Sequence, residues 1–116
     1  MVITNDTELF LGRTVLLSTG VEFRKLRARN LAAYMGRGVT YGSPDMRIPY
    51  KNSRMFVVGG ANSAGQAAVY LSSFEACGVT MLVRGDSIED KMSGYLVDKV
   101  AARDNIVVRT NTELVG

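Results

Sequence analysis

Residues 55–71, MFVVGGANSAGQAAVYL, constrain the fold more than any other stretch. Phe56, Val57 and Val58 form an apolar run that ends at the pair Gly59-Gly60. A small bend follows at Ala61, Asn62 and Ser63, and then an alanine-rich segment from Ala64 to Leu71. Such a segment reads as a helix, because alanine loses no side-chain freedom there. Strand, glycine turn and helix in this order open a dinucleotide-binding βαβ unit.

The physical reason is backbone access. A diphosphate needs close N–H donors, and the first turn of a helix offers unpaired N–H groups and the positive end of its dipole. Glycine at the turn removes the Cβ that would hold phosphate away. The expected spacing G-x-G-x-x-G/A falls here on Gly59, Ala61 and Ala64, so the middle glycine is replaced by alanine. Gly60 lies beside it, out of register. The candidate phosphate cradle is Gly59, Gly60, Ala61, Asn62, Ser63 and Ala64. The plain alternative is a tight turn packed for structure.

The next strand is expected at residues 79–83 (VTMLV), followed by Arg84 and Gly85. An NAD site places Asp or Glu at that strand end, to accept hydrogen bonds from the ribose 2′-OH. A carboxylate there repels a 2′-phosphate, whereas a guanidinium fork suits one. Arg84, with Gly85 leaving room beside it, therefore points to NADP(H) over NAD(H). Lys91 adds charge nearby. The competing reading is a surface arginine at a strand end.

Composition narrows the chemistry. The chain has 116 residues, room for one small domain, and is 47% hydrophobic and 22% charged, as a folded protein is. Its net charge of +3 is mild, so nucleic acid is not the expected partner. No apolar run is long enough to span a bilayer, and no secretory signal opens the chain, so a membrane is not expected and a cytoplasmic setting is. The one cysteine, Cys77, excludes an internal disulfide and any dithiol pair. With no histidine, imidazole bases, triads and histidine metal sites are absent too. No catalytic residue and no metal ligand set is assigned; catalysis has to come from a cofactor.

The remaining chain reads as follows. Short strands are expected at 2–4, 8–11 and 14–18, the last (TVLLS) buried on both faces. It ends at Ser18-Thr19-Gly20, small residues that let a ligand approach the backbone. Residues 21–37 form a basic connector with Arg24, Lys25, Arg27, Arg29 and Arg37 and a helix-like patch at 30–34. It is read as a solvated linker, with a phosphate- or nucleic-acid-facing patch as the alternative. A short strand at 38–41 and a loop at 42–53, holding both prolines, precede the organising unit. Strand 54–58 leads to a helix over 62–76, capped by Asn62 or Ser63 and ended by Gly78. A second helix over 89–103 carries Met92, Tyr95, Leu96, Lys99 and Val100 on one face. A third parallel strand lies at 106–109, and another begins within 112–115. Cys77 reads as a small packed side chain. The fold class is α/β, a Rossmann-like three-layer unit with a parallel sheet, preceded by a small β segment.

Three stretches, VVGGANSAGQAAVYL, VTMLVRGDSIEDKMSGYLVDKV and NIVVRTNTELVG, resemble the NADPH domain of the thioredoxin reductase-like FAD/NAD(P)-dependent pyridine nucleotide-disulfide oxidoreductases. TVLLSTGVEFRKL and GRGVTYG resemble the crossing from that family's flavin domain. The resemblance implies hydride transfer from NADPH to FAD in an intact enzyme. It implies a diphosphate along Gly59 to Ala64, a 2′-phosphate at Arg84 and FAD against Ser18-Thr19-Gly20. It divides the chain into 1–41, flavin-domain strands and connector; 42–53, linker; and 54–116, an incomplete NAD(P)H-binding domain. The family's His-Arg-Arg is Val83-Arg84-Gly85 here, and a later arginine falls near Glu89. Where the family carries Cys-x-x-Cys, this chain has Ser43-Pro44-Asp45 after Gly42. The expectation is the central part of a flavoprotein that stands as a homo-oligomer or with the remainder of a longer chain. The alternative is a non-catalytic dinucleotide-binding, regulatory or interaction module.

Overall fold

The apolar run ending in Leu82 forms the middle of a parallel sheet. A computed structural model describes residues 2–3, 7–20, 22–42 and 49–116. Its strands and helices are β1 (Val2–Ile3), β2 (Leu9–Phe10), β3 (Arg54–Val58), α1 (Asn62–Leu71), β4 (Gly78–Leu82), α2 (Gly94–Ala101) and β5 (Ile106–Arg109). The main sheet has the order β3-β4-β5, all parallel, with Met55 opposite Val79 and Val79 opposite Ile106. β1 and β2 form a separate antiparallel pair. The chain is thus α/β and Rossmann-like, as the sequence pattern requires.

Alternation sorts the side chains. Val79 and Met81 of β4 are buried, and Met55, Val57, Ile106 and Val108 join them on the face that α1 covers. From α1 come Ala68 and Leu71; from α2, packed on α1, come Leu96 and Val100. Fully burying a side chain such as Met81 contributes about 1.5–3 kcal/mol. Phe56, Val58 and Val107 lie on the opposite face and are exposed. Tyr50 closes the lower end of the core, its ring 5.1 Å from that of Phe74.

Several expectations change. The expected third strand at 14–18 is absent: this stretch begins in a bend and joins no ladder, with Leu16 89% and Leu17 80% exposed. Its composition signals burial, but the described residues supply no surface to bury it against. The expected strand at 38–41 shrinks to a single bridge between Met35 and Val39. Gly36 and Gly38, both at positive φ, fold the chain into a turn there instead. The helix-like patch is a short 3-10 helix, Leu31–Tyr34. No strand forms at 112–115. The loop residues 43–48 and the end of the first expected strand at Thr4 lie outside the described residues.

Both helices are shorter than periodicity suggests. α1 stops at Leu71, not Ala76, and Gly78 opens β4 rather than ending the helix. The hydroxyls of Ser72 and Ser73 donate to the carbonyls of Val69 (2.8 Å) and Tyr70 (2.6 Å), which draws those acceptors away from further helix. α2 starts at Gly94, not Glu89, because Ser87 Oγ accepts the Glu89 N–H (2.9 Å) and holds a turn first.

Asn105 clasps the lower end of the sheet. Its Nδ2 donates to the carbonyls of Ser72 (2.8 Å) and Cys77 (2.9 Å), joining the end of α1 to the strands on either side. Asn105→Ala removes both donors, and we expect a loss of about 1–3 kcal/mol. The urea midpoint should fall with an unchanged slope; an unshifted midpoint would show that the clasp contributes nothing.

Candidate functional site

The site is built where β3 and β4 end. Gly59 donates its N–H to the Leu82 carbonyl (3.0 Å), which extends the ladder by one residue. Its φ of +142° then turns the chain, a conformation that residues with a Cβ rarely adopt. Gly60 is required by closeness: a Cβ there would lie 2.7 Å from Val83 Cγ1. Ala61 is the N-cap of α1, and no side chain caps the helix.

That missing cap corrects the expectation for Asn62 and Ser63. Asn62 turns away, and its Oδ1 accepts the Ser93 N–H (2.7 Å), tying the start of α1 to the start of α2. Ala61 O accepts the N–H groups of Ala64 (2.9 Å) and Gly65 (3.1 Å). The N–H groups of Asn62 and Ser63 have no intrahelical acceptor, as in any first turn. The positive end of α1 is therefore left uncapped by its own side chains, which suits an anion.

Arg84 stands just past β4 and is exposed. Its neighbours are pinned by the segment after β5: Thr112 N–H donates to Val83 O (2.9 Å) and Asn111 N–H to Gly85 O (2.8 Å). A cavity of about 480 Å³ opens between Gly59, Gly60 and Ala61 on one side and Arg84 and Gly85 on the other. That volume is in the range of small-molecule sites. Lys91 and Asp90 reach it from the turn before α2, Glu113 from the C-terminal segment, and Arg24, Lys25 and Arg27 from the connector.

Of the sequence candidates, Gly59, Gly60, Ala61, Arg84 and Gly85 come together on this cavity. Ser63 and Ala64 lie in the adjoining first turn of α1, and Asn62 beside them is engaged with Ser93. Ser18, Thr19 and Gly20 are exposed and do not line it.

Two features escaped the sequence reading. Gly65 is buried under α2's leading turn: a Cβ there would lie 2.7 Å from Met92 Sδ. Glycine inside a helix costs about 1 kcal/mol against alanine, and that cost is the signal of a packing role. The other is the placing of the connector at 24–27 on this cavity: a basic run reads first as a solvated linker, and the phosphate-facing patch is the alternative to it. Cys77 is buried just before β4, at the far end of that strand from Arg84, and desolvation pushes its thiol pKa up. Five strand residues separate it from the cavity by roughly 16 Å.

Fold and corner together define a Rossmann-like unit with an anion-receptive strand-to-helix turn. In sequence and fold the chain is thioredoxin reductase-like. It is 34% identical over 119 residues to the thioredoxin reductase of Mycoplasma genitalium, an alignment that takes in 100% of this chain and 36% of that protein. With the thioredoxin reductase of Vibrio cholerae the identity is 33% over 114 residues, 97% of this chain and 35% of the relative. The crystal structure of thioredoxin reductase from Streptococcus pyogenes matches with a TM-score of 0.66 at 28% identity, over 80% of this chain and 29% of that one. The chain spans about a third of the length of the curated relatives it matches. No protein-family model matches.

Gly60→Ala should force Val83 aside and destabilise the fold by about 1–3 kcal/mol, the usual cost of overpacking. Adding Val83→Ala should recover part of the lost melting temperature. Failure of that second change to rescue would place the glycine requirement elsewhere.

Proposed function

We propose that the chain is the NADP(H)-binding portion of a thioredoxin reductase-like flavin-dependent oxidoreductase. The observation that carries this reading is the shared cavity: an uncapped helix N-terminus with bare glycines on one side and a guanidinium on the other. The diphosphate lies along Gly59, Gly60 and Ala61, where side chains would otherwise exclude it, and takes hydrogen bonds from the main-chain N–H groups of Asn62 and Ser63, with the small Ala64 beside them. Arg84 meets the 2′-phosphate, with Gly85 giving it room. FAD, when bound in the intact enzyme, supplies the acceptor for hydride from the nicotinamide. Ser18-Thr19-Gly20 is the segment that lies against it; the main chain there is open, and a Cβ on Gly20 would meet nothing within 4 Å. This chain's own residues bind and orient; none of those on the cavity is assigned an acid, base or nucleophile.

Residues 1–41 then belong to a flavin-binding part, 42–53 to a linker and 54–116 to the NADP(H)-binding domain. The exposed apolar residues Leu16, Leu17 and Phe56 are covered in a homo-oligomer or by the rest of a longer chain. The setting is cytoplasmic; among the described residues no helix is long and apolar enough to cross a membrane. One observation favours a second reading, a dinucleotide-binding or regulatory module without turnover. The sole cysteine is buried at the opposite end of the sheet, so no thiol of this chain relays electrons from the cavity. Yellow purified protein with NADPH oxidase activity supports the enzyme, and colourless protein that binds NADPH supports the module.

Fluorescence titration should show NADPH binding about tenfold tighter than NADH, the worth of one charge-assisted contact at an exposed site. Arg84→Ala should reduce that preference and leave NADH binding nearly unchanged. Equal or tighter binding of NADH by the unmodified chain would refute the preference.

A further inference from the structure

The connector at residues 24–27 reaches the cavity although it lies about thirty residues before the glycine corner in sequence. It is held there from both sides. Leu26 donates its N–H to Tyr41 Oη (2.8 Å), and the Phe23 and Tyr41 rings stack with centroids 6.4 Å apart. Gly42 admits this stack: a Cβ there would lie 3.0 Å from Phe23 Cζ. On the other side Arg29 donates its N–H to Val115 O (3.2 Å), in the segment that also pins the Arg84 turn. A solvated linker has no need of such anchors.

The wall so formed is electropositive. Arg24, Lys25, Arg27, Arg84 and Lys91 line the cavity against two carboxylates, Asp90 and Glu113. Among the described residues none of these cations is in an ion pair; the ion pair found, Lys51 with Glu75 at 2.6 Å, is remote. The Debye length at physiological salt is about 8 Å, so charges across a cavity of this size still act on its contents.

We propose that residues 24–27 are the second wall of the nucleotide site, and that their cations, together with Lys91, rank ligands by phosphate charge. This rests on the dinucleotide reading above and adds to it a contact that the βαβ unit does not itself contain. The connector, already anchored at Phe23, Leu26 and Arg29, is thereby covered by the phosphate-rich end of the ligand.

The test uses the full 116-residue chain with 2′,5′-ADP and 5′-AMP as probes, by calorimetry. The triple variant Arg24→Ser, Lys25→Ser, Arg27→Ser should lose about tenfold in affinity for 2′,5′-ADP, three exposed cations each being worth about 0.2–1 kcal/mol. Its loss for 5′-AMP should be smaller. A control with equal charge removed elsewhere, Arg13→Ser, Arg37→Ser, Arg54→Ser, should change either affinity by less than about twofold. Independently of any variant, 2′,5′-ADP should shield the unmodified chain from trypsin at residues 24, 25 and 27. If the unmodified chain binds 2′,5′-ADP but the two triple variants behave alike, or trypsin cuts the connector equally with and without ligand, the second wall is disproved and the dinucleotide reading survives. If the unmodified chain binds neither probe, both fall together.

Discussion

The structure depends on how closely α1 lies against the middle of the sheet and the turn before α2. Two glycines set that distance. Gly60 rests on Val83 and Gly65 on Met92, and a single added carbon at either position would come within 2.7 Å of its neighbour. At Gly60 the atom met is on the branched, stiff Val83, which has little room to give, whereas at Gly65 it is the flexible end of Met92. These two contacts hold α1 with its first turn beside the end of β4. The Asn62–Ser93 hydrogen bond then fixes α1 against α2 at the same level. Because Asn62 is used in this cross-link, it is not available as a cap. The bond that orders the two helices is therefore also what leaves the helix start open to an anion.

The two ends of the sheet are secured differently. At the lower end, Asn105 supplies side-chain hydrogen bonds, Tyr50 and Phe74 close the core, and Cys77 is sealed in. At the upper end, pinning is by main chain: residues 111 and 112 bond to the carbonyls of Gly85 and Val83. Backbone bonding there leaves Arg84, Lys91 and the connector cations free of ion pairs among the described residues. These side chains are thus able to turn toward a ligand. This division matches the general rule that open α/β sheets bind ligands outside the carboxyl ends of their strands.

How much of this was legible depended on the range of the deciding interaction. β3 and β5 fall on the expected residues, because apolar runs bounded by turn residues define them locally. The helix ends were misjudged because periodicity continues past Leu71, while the hydroxyls of Ser72 and Ser73 decide the stop. The cap was misjudged because Asn62 is a good N-cap type, and its actual partner lies 31 residues away. Residues 14–18 carry strand composition but lack a ladder partner among the described residues, and a strand is a property of a pair. The connector was ambiguous for a related reason. Its charges are visible in the sequence, but the Tyr41 hydroxyl that places them is recognisable only in three dimensions.

Charge distribution connects these points to function. The whole chain carries 14 cations and 11 carboxylates. Among the described residues, 13 of these cations and 9 of these carboxylates are placed; the cavity accounts for five and two of them, which leaves eight and seven elsewhere. Most of the excess of positive charge among the described residues is therefore concentrated at one concave place beside an uncapped helix start. A protein that held polyanions along its surface would spread that excess over a face. Confined to a cavity of about 480 Å³, it suits a small ligand carrying several phosphate charges. The fixed dipoles of the α1 turn and the exposed guanidinium and ammonium groups then do different work. In the proposed nucleotide site the former would hold a diphosphate at a set position, and the latter, longer and freer, would discriminate by the charge that lies beyond it.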